Sequence, residues 1–160
     1  MLYTTRKEAA DACKFEAAAA ERFSSAAIKA AKNGEANKAW CLADQARTAA
    51  RCAMQAHEVL WALAGENMTG AEYDAFDKAE IAQVDASKAE RAAAAAVEKL
   101  NRHALDKQLD ELCEATGTRK AGIIALIEYY MEKSGWTEMA AIEHIKELFE
   151  NGTIEMIKRL

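Results

Sequence analysis

The chain has 160 residues, no proline, seven glycines and a formal net charge of −5. Strands joined by turns need more backbone punctuation than that, so folds built on sheets are excluded. The charge is too small for a bulk mimic of nucleic acid and gives no global basic signal for binding one.

Alanine accounts for 38 residues, and it is the strongest helix former because ordering it costs no side-chain entropy. The expected fold is all-α: a long antiparallel helical bundle or coiled coil with an alanine-rich seam, followed by a small C-terminal helical part. Composition shifts near residue 103, with 32 alanines in residues 1–100 and six in residues 101–160. A division at 1–103 and 104–160 follows.

Thr5 and Glu8 have capping-box spacing and predict a first helix over about 6–33, stopped by Asn33-Gly34. A second helix is predicted over about 36–64, ending at Gly65. Thr69 and Glu72 form another capping-box pair and open a third, over about 70–102. Short links between long helices imply antiparallel neighbours.

Four- and three-residue steps mark a seam on each helix. On the third it runs through Ala75, Ala79, Ala82, Ala86, Ala89, Ala93, Ala96 and Leu100. On the second it runs through Ala39, Ala43, Ala46, Ala50, Ala53, His57, Leu60 and Ala64. Ala9, Cys13, Ala20, Ala27 and Ala31 fit less cleanly on the first. Phe15 and Phe23 lie on a second face of the first helix, and Leu42, Cys52, Val59 and Leu63 on a second face of the second. A helix apolar on two faces must bury both. More apolar surface is therefore expected than three helices cover by themselves.

The tail predicts four short helices. Leu105, Leu109 and Leu112 mark the first. Thr118 is placed to cap the next, with Ile123, Ile127 and Tyr130, and Thr137 the third, with Ile142 and Ile145. Thr153 opens a last turn with Ile154, Ile157 and Leu160. Leu109 to Lys120, followed by Ile123 to Met131, is similar to the helix–turn–helix half of ribbon-helix-helix regulators. In that family a β-strand before the first helix reads DNA. Here the preceding Ala92 to Arg102 is alanine-rich helix, so the resemblance implies no DNA-reading element.

No catalytic, cofactor or metal site is expected. His103, Asp106, Asp110 and Cys113 share one predicted helix face, but heptad neighbours spread along an axis and do not wrap an ion. Cys13, Cys41, Cys52 and Cys113 lack CxxC spacing and read as reduced thiols. The polar start at Met1 to Lys7 and the absence of a long apolar run fit a cytoplasmic protein that does not meet a membrane.

The expected function is a non-catalytic interaction module that self-associates, binds a larger protein, or both. An accessory protein or inhibitor fits, one carried by a phage or mobile element being a concrete version. Trp40, Trp61, Tyr129, Tyr130 and Trp136 are its candidate interface aromatics. The alternative is a regulator holding nucleic acid or an anionic nucleotide at a basic bundle end. Lys29, Lys32, Lys38, Arg91, Lys99 and Arg102 are its candidate contacts, with Arg47 and Arg51 as a secondary pair.

Overall fold

The structure, a computed structural model, describes residues 3–152. The described residues form five helices and no strand: α1 (Arg6–Lys32), α2 (Ala36–Ala64), α3 (Gly70–Thr116), α4 (Lys120–Ser134) and α5 (Glu138–Glu150). The turn expected from Thr153, with Ile154, Ile157 and Leu160, lies outside them. None of the described helices is long and apolar enough to cross a membrane.

Local chemistry sets most helix ends. The Thr5 hydroxyl accepts from the Glu8 amide at 3.2 Å, and the Glu8 carboxylate accepts from the Thr5 amide at 3.1 Å. These two bonds satisfy amides that have no partner inside the helix. At the other end of α1, the Gly34 amide donates to Ala31 and the Glu35 amide to Ala30. This pairing needs a left-handed residue, and Gly34 supplies it at φ 78°.

The chain divides into two compact units, Met1–Leu100 and Asn101–Leu160, with α3 contributing to both. In the first, α1, α2 and the N-terminal part of α3 form an up-down-up bundle. Its interior is the alanine seam. Ala9, Cys13, Ala20, Ala46, Ala50, Ala53, Leu60, Ala75, Ala79, Ala82 and Ala86 are buried in one cluster. Ala27, Ala30, Ala39, Ala43, Ala89 and Ala93 are buried in a second, towards the α1–α2 turn. The Cys13 thiol reaches the Ala53 carbonyl at 3.7 Å, which fixes α1 against α2. Buried among these residues, the Ser24 hydroxyl has no hydrogen-bond partner.

The far end of the bundle is closed by polar groups. Arg6 donates to both oxygens of Glu72, at 2.9 and 2.6 Å, and to the Asn67 carbonyl at 2.7 Å. Glu72 also accepts from the Thr69 amide at 2.7 Å, so one carboxylate caps α3 and holds α1.

In the second unit, Leu109 and Leu112 of α3 meet Ile123 and Ile127 of α4 and Ala141, Ile142 and Ile145 of α5. The expected break after Arg102 is absent, and the first predicted tail helix is the end of α3. The change in composition there carries no glycine or proline until Gly117, so nothing interrupts the backbone ladder. Thr118 is not the cap of α4. Arg119 holds that position with no side-chain bond, and the Thr118 hydroxyl is enclosed without a partner. Thr137 does cap α5, accepting from the Ala140 amide at 3.3 Å.

Two outcomes test this fold. Ala50→Leu forces a larger side chain into a closed seam and should cost about 1–3 kcal/mol in urea denaturation. Ala18→Leu, on an exposed position of α1, should change stability by less than about 0.5 kcal/mol. The Arg6 guanidinium, followed by the Thr69 amide, holds the Glu72 carboxyl down at about 2. A depressed folded value means this stabilisation is present above the ordinary carboxylate range near about 4.3 and is lost as pH falls from there towards the folded value. The melting temperature should therefore drop across that acid window, and Glu72→Gln should remove part of the drop while lowering stability at neutral pH.

Candidate interaction surface

Helical spacing places Trp40, Asp44, Arg47, Arg51, Glu58 and Trp61 on one outward face of α2. Trp61 follows Trp40 by 21 residues, which is about 31 Å along the axis. An outward face of α3 carries Ile81, Val84, Lys88 and Arg91. Cross-helix contacts join α2 and α3. Arg47 Nε lies 3.4 Å from Glu90 Oε1. The His57 ring stacks on Phe76 at 3.5 Å, and Trp61 leans on the same Phe76 at 5.8 Å.

The large apolar groups on this surface are open to solvent. Trp40 is 56% exposed, Trp61 49%, Ile81 58% and Val84 55%. These values decide how the two-sided helices are used, because the interior takes mainly alanines, with Leu60, and leaves these four bulkier side chains outside. Phe15, assigned from sequence to a face needing cover, is also exposed, whereas Phe23 packs against the core. Ile81 and Val84 were not singled out from sequence. Their signal was present, since they alternate with the seam residues Ala79, Ala82 and Ala86.

Where Arg47 meets Glu90, counting back along antiparallel helices puts Ala43 level with Ala94. Two methyl groups cannot fill the space that longer residues would take there. A niche of about 390 Å³ results, lined by Trp40, Ala43, Asp44, Arg47, Glu90, Arg91 and Ala94. Arg47 also pairs with Asp44 one turn away. Arg91 is exposed and has no ion-pair partner among the described residues.

The other sequence candidates are placed apart from this surface. Lys29 and Lys32 occupy the last turn of α1. Lys38 is tied to Glu35 at 2.6 Å, and that bond holds the Glu35 carboxyl below the usual range. A carboxylate thus sits within the expected basic cluster at the α1–α2 turn. Lys99 belongs to the first unit and Arg102 to the second.

In the second unit, Tyr130 and Trp136 stack at 5.6 Å, with His144 edge-on to both at 4.9 and 4.7 Å and Tyr129 edge-on to Tyr130 at 5.4 Å. A groove of about 630 Å³ runs along Leu112, Thr116, Ile142 and Phe149. On α3, Asp110 is taken up by Lys120 at 2.8 Å, and burial, then Asp110, pushes the Cys113 thiol up. No group of three or more His, Cys, Asp or Glu among the described residues is arranged to hold a metal ion.

No family model, curated protein or solved structure matches the chain.

The four free cysteines give a readout of local opening. Burial pushes the Cys13 thiol up to about 11, whereas Cys41, beside Trp40, is exposed. Thiolate is the reactive form. A neutral disulfide reagent should label Cys41 in the native protein and Cys13 only on unfolding, as read by peptide mass spectrometry during a denaturant titration.

Proposed function

We propose that the chain is a non-catalytic helical interaction module that docks its α2–α3 face on another protein, either a second copy of itself or a larger partner that it assists or inhibits. The supporting observation is the placement of small groups inside and large apolar groups outside. A buried methyl group contributes about 0.8 kcal/mol, and a fully buried large apolar side chain about 1.5–3 kcal/mol. Much of the apolar surface that remains to be removed from water therefore lies on Trp40, Trp61, Ile81 and Val84. Tryptophans with arginines between them are also the residue types that dominate binding hot spots.

The test is absolute mass by light scattering over a concentration series, paired with hydroxyl-radical footprinting. The combined variant Trp61→Ser, Ile81→Ser, Val84→Ser is the control, because these exposed positions can change without opening the core. The natural chain should associate as concentration rises, or show protection of Trp61, Ile81 and Val84 when added to extract of its source cell. The variant should lose that behaviour while melting within a few degrees of the parent. A chain that stays monomeric and shows no protection of these residues in extract overturns the proposal.

A further inference from the structure

The niche between Trp40 and Arg91 has a charge pattern that selects its occupant. It contains two guanidiniums, Arg47 and Arg91, and two carboxylates, Asp44 and Glu90. Arg47 is engaged by both carboxylates, through contacts with Asp44 and with Glu90 at 3.4 Å. Arg91 is left as the uncommitted cation. It belongs to the α3 side of the niche, with the half-exposed Trp40 indole completing the lining and Ala43 and Ala94 leaving room between.

From this arrangement we propose that the niche receives a single carboxylate side chain of a docked protein, a glutamate or aspartate with an apolar neighbour resting on Trp40. The proposal rests on the interaction reading above and names the chemistry at one place on that face. Three features favour it. Among the described residues Arg47 is taken up by two acids and Arg91 by none, so one open cation faces a monoanion, whereas a phosphate dianion would need Arg47 released from two partners. The guanidinium fork presents paired donors whose geometry fits a carboxylate. A volume of about 390 Å³ is at the small end of ligand pockets, which span about 300–1,000 Å³. That is room enough for a side chain with its neighbour.

The probe is the capped dipeptide N-acetyl-Leu-Glu-amide, titrated to tens of millimolar against the full-length chain. Indole and arginine Nε resonances are followed by nuclear magnetic resonance. Trp61→Phe and Trp136→Phe leave Trp40 as the only indole. Saturable shifts of the Trp40 and Arg91 resonances are expected. Arg91→Gln should weaken binding about fivefold or more, as loss of a charge-assisted bond at a partly exposed site implies. The Leu-Gln dipeptide should produce no saturable shift. Arg91 lies on the outside of α3, so unchanged melting of Arg91→Gln separates lost binding from lost folding.

Three results overturn the proposal: no saturable shift at these two residues, equal binding of the Gln dipeptide, or tighter binding of inorganic phosphate than of the Glu dipeptide. Failure here with association still dependent on Trp61, Ile81 and Val84 would reject the carboxylate site and leave the interaction reading standing.

Discussion

Close approach of three helices across alanine is the constraint on which the first unit depends. Positions such as Ala46, Ala50, Ala79 and Ala82 are closed to solvent although each supplies only one methyl group. Such contacts are possible only when helix axes come near one another, and a longer side chain at these alanine positions is then excluded. The seam thus specifies geometry strongly while contributing little apolar burial per residue. Leu60 is the large side chain that the interior admits, whereas Trp40, Trp61, Ile81 and Val84 on α2 and α3 lie outside it.

A seam of identical small groups specifies alignment poorly by itself, because sliding one helix by a heptad sets alanine against alanine again. Groups at the bundle margins resolve that degeneracy. Arg6 can meet Glu72 and the Asn67 carbonyl only when α1 begins level with the start of α3. The Cys13 thiol reaches one particular carbonyl of α2. The His57–Phe76 stack and the Arg47–Glu90 pair fix α2 against α3. Interior shape and marginal polar contacts therefore do different work, the first setting distance and the second setting register.

This division explains what sequence could reveal. Helix starts at Thr5, Thr69 and Thr137 and stops at Gly34 and Gly65 were legible because capping and left-handed turns depend on residues a few positions apart. The seam was legible because its spacing is regular. The length of α3 was not, since the change from alanine to leucine near residue 103 marks a change of packing neighbours and not a break in the backbone. Thr118 looked like a cap by residue type, but Arg119 takes that position. At the candidate site, Trp40, Arg47 and Arg91 were each noted from sequence. Their meeting in one niche depends on the α2–α3 register, which no local pattern encodes. Ile81 and Val84 were overlooked because judging them exposed requires knowing which of two apolar faces turns inward.

The niche and the fold have a common cause. Ala43 is small because α2 must approach its neighbours closely, and Ala94 lies at the edge of the same approach. With larger residues at either position, the space between Trp40 and the Arg47–Glu90 pair would be filled. Arg47 spans that space and is held by acids from both α2 and α3, so its charge serves alignment. Arg91, one residue beyond Glu90, has no such task. A seam that minimises side-chain volume thus leaves, at its border, both the cavity and the free cation on which recognition at this face would turn.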